Sequence, residues 1–225
     1  MDKLDIKERL ALLFTWWYGY NICVINKLLK NQPPTEKFLV NLKKDLKSTH
    51  ILDIWVGKWF AKKKLTKKVD KFLTTEFKIL FDEILPDENI GENFWIDMAL
   101  LILYDQVSRN IFRGTKKAYK TDSKALKISR FWIKKHEDLG FHYICTLCIS
   151  LSHSENIEDQ NIVYNYLKTN LFKSHYNKHQ TIYNTLCKIH NNHRNRIIYF
   201  NRIPERNIIL NRHSTEKELI YMNNI

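Results

Sequence analysis

Apolar residues recur along this chain at the three- and four-residue spacing of an amphipathic helix, without the alternation a half-buried strand needs. Leu4 to Leu29 reads as one long apolar helix, closed by Asn31-Gln32-Pro33-Pro34. Thr35 caps a second that runs to about Lys47, with Phe38, Leu39, Leu42 and Leu46 along one face. His50 to Phe60 carries Ile51, Ile54, Trp55 and Trp59 on one stripe, and Lys67 to Leu85 stops before Pro86-Asp87. Phe94 to Phe112 is the most apolar segment and is expected at the centre. Further helices are predicted from Thr121-Asp122 to Lys135, Phe141 to Leu151, His153 to Leu171 and Lys173 to Phe200. Pro204 breaks the chain, and Ser214 caps a last short helix through Met222. The pattern predicts an all-α bundle or helical array of about eight to ten helices, with no motif repeated at a fixed period.

Composition narrows the picture. A chain of 225 residues makes one large domain or two small ones and can bury a sizeable core. Five Gly and four Pro are too few for a turn-rich all-β fold, and 44% hydrophobic residues exclude global disorder. Leu10 to Asn26 has no charged residue, yet it falls short of the roughly 20 apolar residues a membrane span needs. Thr15, Gly19, Tyr20 and Asn21 interrupt it as well, so a buried helix is expected there rather than membrane insertion. With no cleavable signal peptide evident, a reduced, cytoplasmic protein is the expectation. The four Cys make no disulfide framework. Cys145-x-x-Cys148 and Cys187-x-x-His190 have zinc-like spacing, but both fall inside apolar helices, where Cys is an ordinary small core residue. Neither a metal nor a cofactor is expected.

The formal charge of +13 points toward acidic partners, although abundant Lys, Asn and Ile together suggest a coding bias that inflates it. Arginine is more informative. Only nine of the 37 basic residues are Arg, yet Ile189 to Glu216 contains five Arg and no Lys, and Asp105 to Thr115 contains Arg109 and Arg113 and no Lys. Guanidinium is planar, stays charged when partly desolvated, and forms bidentate bonds to carboxylate or phosphate. Choosing it over Lys in these two stretches marks a candidate site.

Three polar clusters fall at helix ends or faces. The first holds Asp105, Gln106, Arg109, Asn110 and Arg113; Asp105 and Arg109 are four apart and can pair, and Gly114 ends the helix. An internal ion-pair network locking two helices would explain these residues equally well. The second holds His153, Glu155 and Gln160, where helix capping alone accounts for the His and the acid. The third holds His193, Arg202, Arg206, Asn207, Arg212 and Ser214 around Pro204, and a loop with converging Arg before a capped helix is a sound anion site.

Together these clusters resemble one family. Leu100 to Thr115 is similar to an LLDQFPRNxxRGT signature, and Leu151-Ser152-His153-Ser154-Glu155 with Gln160 to a PxxHSE…Q element. His193, Phe200 to Asn207 and Leu210 to Glu216 resemble an H…FGRFPHRN…LGRxST element. These belong to the DUF924 proteins, known mainly from bacteria, and the match runs from about Trp59 to Leu219. The resemblance implies an all-helical, tetratricopeptide-like fold and no defined reaction. Asn201 and Asn211 stand where the pattern has Gly, and Glu205 where it has His. An aromatic FWFG start maps either to Trp16-Trp17-Tyr18-Gly19 or to residues 53–57, so residues 1–57 form a divergent or inserted helical region packed on a domain of residues 58–225.

The first functional expectation is a helical binding protein. Its Arg-, Asn-, His- and Glu-lined pocket would take a phosphate- or carboxylate-bearing small molecule or an acidic peptide. An alternative is RNA binding through Lys62, Lys63, Lys64, Lys67, Lys68 and Lys71. Another is an enzyme acting on a phosphorylated or carboxylated small molecule, with His153, Glu155 and His193 as acid–base groups. No phosphate-cradling Gly loop, nucleophile elbow or Asp-rich metal motif accompanies them.

Overall fold

The computed structural model describes residues 5–29, 38, 41–44, 46–54, 58, 63–82, 90–168 and 170–224, and every regular element among them is a helix. Thr35, Trp55, Trp59, Lys62 and Pro86-Asp87, on which parts of the sequence reading rest, lie outside the described residues.

The long helix expected from Leu4 to Leu29 is two helices, Ile6–Tyr18 and Ile22–Leu28. Asp5 and Glu8 close a reciprocal capping box at the start of the first. Gly19 ends it in the left-handed conformation (φ 69°), and a Cβ there would lie 2.6 Å from the His50 ring, so both backbone and space require glycine. Periodicity hid this break because large apolar residues continue on both sides. Leu10, Leu13, Phe14 and Trp17 are fully buried, and the helix packs along Phe94–Ile102. It therefore lies within the same core as the later helices.

The expected Phe94–Phe112 helix is likewise not uniform. Phe94–Ile102 is α-helical, Leu103–Val107 is π-helical, and Ser108–Ile111 resumes the α-helix. The Ser108 N–H reaches the Leu103 carbonyl, so one extra residue is accommodated at the stretch that carries Asp105 and Gln106. This segment shares the centre with Phe141–Ser152, all twelve residues of which are buried. Cys145 and Cys148 are among them, and burial pushes the Cys148 thiol far above its ordinary range. Asp122–Ile133 covers one side of Phe141–Ser152 and Asn170–Phe200 another, with Ile157–Lys168 packed on the latter. Asn170–Phe200 is kinked at His179, whose ring stacks on Phe141 at 5.0 Å. No helix among the described residues is long and apolar enough to cross a membrane.

At the C-terminal end, Asn201 and Asn211 both adopt left-handed backbone (φ 57° and 55°), a conformation Asn tolerates better than other non-Gly residues. The final helix, Glu216–Asn223, is capped by Thr215 rather than by Ser214, with Glu218 completing the capping box. The buried Glu218 carboxylate also takes two bonds from Arg202, at 2.6 and 2.7 Å. Arg202 and the Thr215 backbone hold its carboxyl down at about 2, against an ordinary 4.5. Because the folded value is depressed, this stabilisation is complete above about pH 4.5 and lost as pH falls toward 2. Melting temperatures of the wild type and Glu218→Gln should therefore differ at neutral pH and converge in acid. A gap that persists unchanged at pH 2.5 would contradict this account.

Candidate functional site

The π-helical turn, the end of Phe141–Ser152, the middle of Asn170–Phe200 and the loop at Pro204–Arg206 meet around two adjoining cavities of about 280 and 470 Å³. Arg109, Arg113, His153 and His193 line both. Gln106, Asn110 and Lys58 border the smaller one; Tyr119, Glu205 and Arg206 border the larger.

Asp105 is the anchor. Its buried carboxylate accepts a proton-bearing Nδ1 of His153 at 2.9 and 3.1 Å, lies 3.3 Å from the Arg109 guanidinium, and accepts the side-chain amide of Gln106. Burial alone would raise its pKa, but Arg109 and His153 together hold it well below the usual carboxylate range. Arg109 turns its other face to Asp122 in a bidentate pair at 2.9 and 3.0 Å. Thr121, bonded to the Tyr104 carbonyl at 2.8 Å, fixes the start of the Asp122 helix against the π turn.

His153 closes the helix Phe141–Ser152; it does not open the next one, which begins at Ile157. With Nδ1 protonated toward Asp105, Nε2 is left as the basic atom of the ring, without a hydrogen bond among the described residues. Burial lowers the His153 pKa, opposed by Asp105 and assisted by Arg109 and Arg206, so the ring is neutral at pH 7. His193 packs on it edge to face, centroids 5.4 Å apart, with its own Nδ1–H donated to the Ile189 carbonyl at 2.9 Å. Burial, then the charge of His153, push His193 down to about 3.

The arginines divide. Arg113 is paired with Asp70 at 3.1 and 3.2 Å, and Asn110 bonds the same carboxylate at 2.8 Å. Arg202 belongs to Glu218, on the outer side of the loop. Arg212 grips Glu155 at 2.5 and 3.0 Å and also bonds Asn207 and the Ile203 carbonyl. Asn207 in turn donates to Ser214 at 3.1 Å, and Glu155 accepts the Ile203 N–H at 2.9 Å. Gln160 is fully buried and donates to the Ser152 and Ser154 carbonyls. Glu155, Arg212, Asn207 and Ser214 thus form a network that ties the 201–214 loop to the 152–156 turn, beside the cavities, while Gln160 braces the same turn from within. Glu155 has no contact with either His in this arrangement, since both of its oxygens are bonded within that network.

Arg206 differs from the rest. It is only 9% exposed, and its closest carboxylate oxygen, on Asp122, is 3.9 Å away and already committed to Arg109. The Tyr119 ring lies 4.9 Å from its guanidinium. Burial and the neighbouring Arg109 lower its pKa.

Sequence reasoning missed Asp70, Asp122, Tyr119 and Lys58. A signal existed for Asp70, the lone acid in the basic run from Lys62 to Lys71. Lys58 borders the smaller cavity while bonding the Trp16 and Trp17 carbonyls at the end of the first helix, and burial lowers it to about 8. Of the lysines considered for RNA, Lys67, Lys68 and Lys71 are exposed.

Residues 51–225 match a family model described as a bacterial protein of unknown function, DUF924. No functionally curated protein matches the chain. A solved structure of a protein of unknown function from Agrobacterium tumefaciens is similar, with a TM-score of 0.55 and 26% identity, covering 79% of this chain and 97% of that one.

Proposed function

We propose that this chain, which belongs to the DUF924 family of bacterial proteins of unknown function, binds a small anionic molecule through the larger cavity. Arg206 carries the reading. A guanidinium nine-tenths buried with no close acceptor is costly to maintain in a purely structural role, since buried charge is normally paired and hydrogen-bonded. A phosphate or carboxylate in the cavity would supply the missing acceptors in the bidentate geometry that distinguishes Arg from Lys. Tyr119, Ile203 and Ile209 offer apolar wall for the rest of such a ligand. The other arginines around the cavity have internal carboxylate partners and contribute field and shape more than direct bonds.

The test is Arg206→Met. In the wild type, inorganic phosphate at a hundredfold excess over its Kd should add about 2.7 kcal/mol of stability. The variant should lose that gain. In the absence of ligand it should melt within about 1 kcal/mol of the wild type, because the guanidinium faces the cavity and Asp122 keeps Arg109. A variant that melts below that range, in a protein indifferent to phosphate, would show that Arg206 serves only its long pair with Asp122 and would end the proposal.

A further inference from the structure

We propose that the pocket hydrolyses a phosphomonoester, with His153 as general base and Arg206 holding the phosphoryl group; this rests on the anion-binding reading above. The pocket contains more than an anion receptor requires. A receptor needs donors, whereas His153 presents a lone pair. Its Nδ1–H is fixed by Asp105, a carboxylate 2% exposed, so the tautomer is set and Nε2 is the atom left to accept a proton. Asp105 is itself over-determined by Gln106 and Arg109, and it sits on the π-helical turn, a departure from regular helix that recurs at functional sites. His193 adds a second imidazole whose Nδ1–H is tied to the Ile189 carbonyl, leaving another Nε2 without a partner among the described residues. Two oriented, neutral imidazoles beside a buried guanidinium that has only a long ion pair to Asp122 make a site for water facing an electrophile rather than for an anion alone.

A phosphoryl group fits this set. Its transfer asks the protein mainly for charge neutralisation and alignment, and the Arg206 fork matches two of its oxygens. In the reaction, water gives a proton to Nε2 of His153 as its oxygen bonds to phosphorus. The bond from phosphorus to the ester oxygen breaks on the far side of phosphorus, where that oxygen takes a proton from solvent, and Nε2 of His153 returns its own proton to solvent. Alcohol and inorganic phosphate leave, with no change in oxidation state. His193 acts as a positioning residue for the water.

The full chain incubated with p-nitrophenyl phosphate should release nitrophenol. His153→Gln should lower kcat by about 10²–10⁴-fold, while inorganic phosphate still raises the melting temperature of that variant. Asp105→Asn, as a positioning change, should lower kcat while KM falls, because a negative charge leaves the pocket. It should also move the acid limb of the pH profile to lower pH, because the carboxylate that favours protonated His153 is gone. No release by a wild type that phosphate does stabilise, through Arg206, would overturn hydrolysis and leave binding intact. A wild type that phosphate does not stabilise would remove both readings. Turnover of p-nitrophenyl acetate but not the phosphate would overturn the substrate class, and full activity in His153→Gln would overturn the assignment of the base.

Discussion

Trp17→Ala is expected to lower the unfolding free energy by about 3–5 kcal/mol. The residue is fully buried in the core, on the helix that packs along Phe94–Ile102. Truncating so large a side chain removes its transfer free energy and leaves a cavity that the helix cannot fill, because Leu13, Phe14 and Tyr18 are themselves buried in the same core. The consequence reaches the site. Phe94–Ile102 runs directly into the π turn that carries Asp105, so a loosened first helix relaxes the element that positions the carboxylate. Urea unfolding followed by circular dichroism should show a reduced midpoint with an unchanged slope. A loss below 1 kcal/mol would instead mean that the N-terminal helix is an appendage, with the core closing without it.

The helical class was legible because apolar spacing reports directly on which face is buried, and the helices at Asp122–Ile133 and Phe141–Ser152 lie close to where that spacing puts them. Departures within helices were not legible. Helical apolar spacing resumes on both sides of Gly19 and of the π turn at Leu103–Val107, so the periodicity does not distinguish a break or an extra residue in the ladder from one continuous helix. Kinks of this kind depend on what packs outside the helix, as His50 against Gly19 illustrates. The site was half legible. Preference for Arg over Lys pointed to stretches that border the two cavities, and the motif residues Asp105, Arg109 and His153 do converge. What the sequence could not show is which guanidiniums are already used. The carboxylates that use them, Asp70, Asp122 and Glu218, lie 43, 13 and 16 residues from their arginines and stand in segments read only as helix faces or caps. Arg206 stands out only after the other pairs are known.

Asp105→Ala should cost about 3–5 kcal/mol, the penalty for removing one partner of a buried charge pair. Three groups lose their acceptor at once: the His153 Nδ1–H, the Gln106 amide, and one side of Arg109, which keeps Asp122. Asp105→Asn should cost less, since the remaining oxygen can still accept one of those bonds. The dependence on pH follows from the direction of the shift. The folded carboxyl is held far below its ordinary 3.8, so its contribution is complete above the unfolded carboxylate range and disappears only in strong acid. The gap in stability between wild type and Asp105→Ala should thus widen slightly from pH 7 to about 5, because without the carboxylate His153 resists protonation further, and should shrink in stronger acid as the carboxylate itself is lost. A gap that keeps growing below about pH 4 would mean that the carboxyl is protonated in the folded protein and that Arg109 does not hold it. The same substitution makes a second demand. Removing a negative charge from the pocket leaves Asp122 as the carboxylate shared by Arg109 and Arg206, so the empty variant is less stable but should take an anion more tightly. Phosphate should therefore rescue more of the melting temperature in Asp105→Ala than it adds to the wild type, and an equal or smaller rescue would place the anion away from this cluster.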